Sequence, residues 1–236
     1  LQPHRKRSWC IGPINSEFLA RMEQILWLYA LAYDPDYPVI CLDERPCFLI
    51  GERVDPIPMA EGTVRKEHYA YEKNGACPLF AALEPLTGQR LGQVHRQRTR
   101  KEFTLFCQAL AACYPNARKL RLVLDNLNTH TVGAFYAHLP ADEAWALSQR
   151  FEFWYTPKSA SWLNMIEIEF SALARLCLHR RIPTIEQLEA EVLTLLAERH
   201  EKRIQINWQF SIDACREKLH ARYSVVNDAN SKFKKV

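Results

Sequence analysis

The sequence predicts an α/β protein with a mixed sheet: an antiparallel meander leads into parallel strands, helices flank the sheet, and a helical C-terminal extension follows. Three observations predict it. Short apolar runs bounded by turn residues crowd residues 38–96. From Thr99 onward, helix-length periodic segments alternate with such runs, and after Pro157 only helix-period segments remain. The composition permits this fold. Of 236 residues, 48% are hydrophobic and 25% charged, enough for a sizeable core, and only 7 are glycine, which argues against glycine-rich repeats and a glycine-laced phosphate loop.

The elements follow in order. Residues 1–14 read as an extended, basic lead-in with His4-Arg5-Lys6-Arg7, ending at Gly12-Pro13. Asn15 or Ser16 caps a helix to about Ala32, in which Phe18, Leu19, Met22, Ile25, Leu26 and Tyr29 recur at helical spacing. Asp34-Pro35-Asp36-Tyr37-Pro38 stops it. The apolar run Val39–Leu42 reads as a buried strand ending at Asp43-Glu44, and Phe48–Gly51, His68–Tyr71 and Leu79–Leu83 read as the next strands. The turn Leu86-Thr87-Gly88 leads into a strand near Arg90–Arg96. Thr99–Tyr114 is helical, with Phe103, Phe106, Leu110 and Ala111 on one face. Leu120–Leu124 is a strand that again stops at an aspartate. Short helices over Thr131–His138 and Asp142–Gln149 precede the strand Phe151–Tyr155, closed by Thr156-Pro157. Helices over about Ser161–His179, Ile185–Arg203 and Ile212–Tyr223 complete the chain, which frays from Ser224. This is the ribonuclease H-like layout. The expected organisation is a lead-in and helix over 1–37, a core over 38–182, a helical extension over 183–223 and a basic tail over 224–236.

Several function classes are excluded by composition and pattern. The longest apolar stretch, Ile25–Tyr33, is about half of the roughly 20 residues a membrane-spanning helix needs. No apolar signal-peptide core follows the basic start, so a soluble, cytoplasmic protein with no membrane partner is expected. The eight cysteines include no pair spaced for a zinc knuckle, and read as small buried hydrophobes in a reducing compartment. The net charge is only +4, but Gly88–Lys101 carries Arg90, Arg96, Arg98, Arg100 and Lys101 without an acid, and the tail adds Lys232, Lys234 and Lys235. Such patches suit a polyanion.

Two-metal phosphoryl-transfer sites need carboxylates that a sheet can gather, because Mg²⁺ prefers oxygen ligands and keeps several waters. Asp43 and Asp125 each follow an apolar strand, and parallel neighbours would place both at one sheet edge. Each also fits a turn or a helix cap. Asn128 or Thr129 can do the capping after Asp125 and leave it free. The third acid is sought on the helix after Ser161, whose apolar stripe is Leu163, Ile166, Phe170, Leu173, Ala174 and Cys177. Glu167 lies nearer this stripe than Glu169 and neighbours Asn164, Ser171 and Arg175, so it is preferred.

The blocks Leu122-Val123-Leu124-Asp125-Asn126-Leu127-Asn128-Thr129-His130, Tyr155-Thr156-Pro157-Lys158 and Ser161-Trp162-Leu163-Asn164-Met165-Ile166-Glu167 resemble the mariner-like insertion-sequence transposases, which carry a DDE-type endonuclease domain. Cys41-Leu42-Asp43-Glu44 also fits, and the likeness runs to about Tyr223. The resemblance implies a ribonuclease H-like fold with Asp43, Asp125 and Glu167 as catalytic, metal-binding triad. It implies Mg²⁺ or Mn²⁺, two ions, as cofactor. The partners it implies are double-stranded DNA, as transposon ends and target, and a second copy of the chain when assembled on DNA. It also implies metal-dependent cleavage at the transposon ends, followed by transfer of the new 3′-OH into target DNA. The interval from Asp125 to Glu167 is longer than in the best-known relatives, the surplus falling in a helical insertion over Leu139–Arg150. Such transposases usually begin with helix-turn-helix modules, and this chain starts just past where those would stop.

Arg96, Arg98, Arg100, Lys101 and Lys158 are candidate DNA contacts. His130 would touch a phosphate or a carboxylate behind the metal, or bond locally at a helix start. Trp162 would stack on an unpaired base or close the core as a lid. The alternatives are a catalytically silent, truncated transposon remnant that only binds DNA, or another ribonuclease H-like nuclease.

Overall fold

The structure, a computed structural model, describes residues 14–234. The lead-in with His4–Arg7 and Gly12-Pro13, one of the eight cysteines (Cys10), and Lys235 of the tail lie outside the described residues. Helix α1 spans Ser16–Tyr29, and Asn15 caps it by accepting from the Phe18 amide at 2.8 Å. The strands are β1 (Val39–Glu52), β2 (Tyr71–Leu83), β3 (Arg90–Val94), β4 (Leu120–Leu124) and β5 (Phe151–Tyr155). Helices α2 (Arg100–Cys113), α3 (Val132–His138), α4 (Ala141–Gln149), α5 (Ile166–Leu176), α6 (Ile185–Glu201), α7 (Ile212–Lys218) and α8 (His220–Val226) complete the set, with 3₁₀ turns at Ser161–Leu163 and Asp228–Phe233.

The five strands form one sheet in the order β3-β2-β1-β4-β5. β1–β2 and β2–β3 pair antiparallel, β1–β4 and β4–β5 parallel. This is the expected mixed, ribonuclease H-like sheet. Alternation of side chains divides the core in two. Ile40, Leu42, Leu120, Leu122 and Leu124 face α2, α3 and α4 through Phe103, Phe106, Phe135 and Ala144. Cys41, Leu79, Leu83 and Val123 face α1, α5 and the C-terminal helices through Met22, Ile166, Leu188 and Cys215.

Four expectations need correcting. β1 is one long strand, so Asp43 lies within it rather than at its end. The parallel pairing with β4 nevertheless stops at Cys41↔Val123, so the two strands part just before Asp43 and Asp125. Open α/β sheets bind ligands in such a crevice outside the carboxyl ends of their strands. Likewise His68–Tyr71 is no separate strand; β2 begins at Tyr71. Ile212–Tyr223 is two helices, and the chain beyond Ser224 is ordered into the Asp228–Phe233 turn, where Phe233 meets Tyr223 edge-on at 5.7 Å.

Of the seven described cysteines, six are buried as expected and Cys113 is exposed. Gly88 has φ +79°, and a Cβ there would lie 2.7 Å from the Arg203 backbone. Gly88→Ala therefore combines a left-handed backbone with a backbone clash, and should lower the urea midpoint clearly. A midpoint equal to the parent's would show that the 199–204 segment moves freely away from this turn.

Candidate active site

Asp43 projects from β1 on the α1/α5 side of the sheet, with its Oδ1 accepting from the Glu44 amide at 2.7 Å. Asp125 sits directly after β4, its side chain 35% exposed. Its Oδ1 accepts from the Leu127 amide at 3.3 Å. Glu167 lies in the first turn of α5. Asn164 ties that helix to β1: its Nδ2 donates to the Leu42 carbonyl at 2.8 Å, and its backbone carbonyl accepts from the Glu167 amide at 3.1 Å. The residue beside Asp43 thus anchors the turn that carries Glu167.

Asp43 feels the charges of the other two carboxylates. Burial pushes the Asp43 carboxyl up to about 7, and the charges of Asp125, Glu44 and Glu167 add to this against the Glu44 amide. Burial also raises Glu167, which Arg45 partly offsets. Among the described residues, no three His, Cys, Asp or Glu side chains close tightly enough to hold a metal ion by themselves. The cluster is open, made of hard oxygen donors, and lacks a protein cation bonded to Asp43. That donor set fits Mg²⁺ or Mn²⁺, which keep water ligands.

Glu169 has a different surrounding. Its side chain is 1% exposed, and it is held by Arg90 Nη2 at 3.1 Å and by Arg199 at 2.7 and 2.9 Å. Burial would raise it, but these guanidinium contacts hold it below the usual carboxylate range. The expectation that Glu169 is the more peripheral acid is wrong in burial: the apolar stripe does not see the face of α5 that two arginines cover. It also removes Arg90 from the basic run, since Arg90 is buried in that cluster.

His130 is fully buried and has no surface to offer DNA, which corrects its assignment as a DNA contact. Its Nε2 lies 2.7 Å from Glu44 Oε1, and its Nδ1 lies 2.6 Å from Asp125 Oδ1, an off-axis ion-pair contact. Burial alone would lower its pKa, but these two carboxylates raise it to about 9. Neither Asn128 nor Thr129 caps α3; Thr131 holds the cap position, without a side-chain bond. Arg96 and Arg98 are exposed in the turn from β3 into α2, and Arg100 and Lys101 are exposed in the first turn of α2. β3 runs in the same direction as β1 with one strand between them, so this run leaves the sheet at the carboxylate end, about 10 Å aside. Lys158 is exposed and lines a cleft of about 390 Å³ with Arg21, Asn126 and Ser159. Trp162 is 39% exposed and packs edge-on against Phe210 at 5.9 Å.

Residues 38–189, from the first strand to the start of α6, match the family model described as DDE superfamily endonuclease. The chain belongs to that family. No curated protein matches it. Its fold resembles that of the Mos1 transposase paired-end complex with left transposon end, with a TM-score of 0.57 at 14% identity over 98% of this chain and 67% of that one. A Mos1 mariner paired-end complex with Mn gives 0.56 at 12% identity, and the Mos1 strand transfer complex 0.55 at 12%, each covering 98% of this chain and 68% of the other. In this DDE endonuclease, sequence reasoning missed Glu44 and the anchoring bond of Asn164. An acid alternating with Ile40 and Leu42 on a core-facing strand side was the available signal for Glu44, since a buried acid needs a partner. Among the described residues, no helix is long and apolar enough to cross a membrane.

The raised pKa of Asp43 has a stability consequence. Between about pH 4 and 7 the folded chain holds a proton that the unfolded chain releases, so this group's contribution to stability falls as pH rises through that window. In chelator, the difference in melting temperature between the parent and Asp43→Asn should therefore widen from pH 4 to 7 in favour of the variant, then level off. Millimolar Mg²⁺ at pH 7.5 should raise the parent alone. A pH-independent difference would place Asp43 in water rather than in the cluster.

Proposed function

We infer that this chain is the catalytic part of a transposase, acting on double-stranded DNA at transposon ends and on a target duplex. The observation that supports the reading is the buried Asp43 carboxyl, which feels the charges of Asp125 and Glu167 near the point where β1 and β4 part, in a chain of the DDE endonuclease family. Residues 38–182 are taken as the catalytic core and 183–223 as its helical extension. Asp43, Asp125 and Glu167 would hold two divalent cations. Bound there, such ions supply Lewis-acid stabilisation of the phosphate and a nucleophile active at neutral pH.

The chain's own residues do the remaining work. Asn164 fixes Glu167 against the strand of Asp43. The exposed Arg96, Arg98, Arg100 and Lys101, with Lys158 beside Asn126, would take phosphates on either flank of the carboxylates. Trp162 is open enough to stack on an unpaired base. The paired-end Mos1 complexes support DNA as the partner, and two copies of the chain would assemble on it. The bacterial cytoplasm is the compartment proposed for it. The test is incubation with DNA carrying the element's ends, a target plasmid and Mg²⁺. Strand cleavage leaving a 3′-OH that becomes joined to the target is expected. Cleavage without joining would leave only a nuclease, and no cleavage would leave only a remnant.

The basic run makes a separate prediction. Changing Arg96, Arg98, Arg100 and Lys101 together to alanine should weaken binding of any duplex. It should also flatten the log–log salt dependence by about 0.9 for each phosphate that the side chains no longer neutralise. A gel-shift series from low to physiological salt reads this. An unchanged slope would move the DNA track elsewhere.

A further inference from the structure

Glu44 follows Asp43 on β1 and therefore points to the opposite face, into the core beneath α2. Its side chain is 1% exposed; Oε1 meets His130 Nε2 at 2.7 Å, and Oε2 has no hydrogen-bond partner among the described residues. His130 lies 4.8 Å from the Phe103 ring, and its carbonyl accepts from the Tyr155 hydroxyl at 2.8 Å. Its other nitrogen meets Asp125 Oδ1 at 2.6 Å, the same oxygen that the Leu127 amide reaches. Both protein contacts of Asp125 thus fall on Oδ1, and Oδ2 has none among the described residues.

A buried ion pair is a poor way to stabilise a fold, since apolar side chains of similar volume do as well or better. This one sits in a core that is otherwise aromatic and aliphatic, and its outer end is a carboxylate at the crevice. We propose that Glu44 and His130 are a positioning pair that fixes the rotamer of Asp125, committing Oδ1 to the protein and presenting Oδ2 to a divalent cation. This rests on the reading of Asp125 as a metal ligand. Groups behind a ligand set its orientation, and their loss commonly weakens metal affinity 10–100-fold.

The test uses the full chain, Mn²⁺ as probe and calorimetry, with urea denaturation alongside. Glu44→Gln should weaken Mn²⁺ binding about 10-fold, and Glu44→Leu/His130→Phe about 10–100-fold. The double variant should match or exceed the parent's urea midpoint, because an apolar pair replaces the buried ions. Parent-like affinity in the folded double variant would overturn the proposal and leave the pair merely structural. Should that variant not fold, Glu44→Gln decides alone, and parent-like affinity again overturns it. Asp125→Asn is measured beside them. If it binds as the parent does, the metal-site reading fails and the proposal with it. If it loses binding while Glu44→Gln does not, the positioning pair alone fails.

Discussion

Glu169→Ala should destabilise the chain by about 3–5 kcal/mol, the usual consequence of removing one partner from a buried ion pair. That is a large part of the roughly 5–15 kcal/mol that holds a typical protein folded. The removed carboxylate answers two guanidinium groups, one of which, Arg90, has a side chain 1% exposed. Arg90 also donates to the Gly88 and Ile204 carbonyls, so the loss spreads from β3 into the segment after α6. The sign of the pH dependence follows from the lowered pKa. The contribution of Glu169 is present above the ordinary carboxylate range and is lost as pH falls through its depressed folded value. Urea denaturation at pH 7 reads the effect directly. A change under about 1 kcal/mol would place the cluster in the class of surface ion pairs.

Glu167→Ala should do the opposite. Glu167 is only half-buried and its carboxyl is raised by burial, so its removal relieves desolvation and leaves no cation orphaned. Alanine also has the highest helix propensity, so α5 persists. Stability should stay within about 0.5 kcal/mol of the parent. Strand cleavage should fall on the order of 10³-fold, because in the proposed function this group would help hold divalent metal whose charge stabilisation is worth several kcal/mol in the transition state. Nicking of end-bearing DNA gives the rate, and circular dichroism the fold. The two variants, two residues apart on one helix, separate the chemistry of α5 from its anchorage. A cleavage-competent Glu167→Ala would shift the register of the site.

Much of this architecture is legible in the sequence because burial writes it there. The runs Leu120–Leu124 and Phe151–Tyr155 are strands with the bounds their apolar character and flanking turns indicate. The capping box of Thr99 and Glu102 opens α2 where the sequence changes period. What stays hidden depends on pairing across long separations. The acidic interruption at Asp43-Glu44 reads as a strand end, yet β2 pairs β1 straight through it, Asp43 opposite Ala81 and Glu44 opposite Phe80. The Arg90–Glu169–Arg199 cluster joins three elements, and no local pattern marks a charged side chain that tertiary structure will bury. His130 is similar: five residues after Asp125 it reads as a phosphate contact, a group behind a metal-site carboxylate or a helix-start residue, and only the fold reveals Glu44 as its second partner. For the site, strand-end position brought Asp43 and Asp125 forward, and the helical wheel favoured Glu167 over Glu169, a preference that motif resemblance strengthened.

The proposed chemistry requires Asp43, Asp125 and Glu167 to act together on a divalent cation. Calorimetric titration of Mn²⁺ into the full chain at pH 7.5, with Asp43→Asn/Asp125→Asn as the counterpart, tests this most directly. Weak, saturable binding to the parent that disappears in the folded double variant is the predicted result; equal binding to both proteins would contradict it.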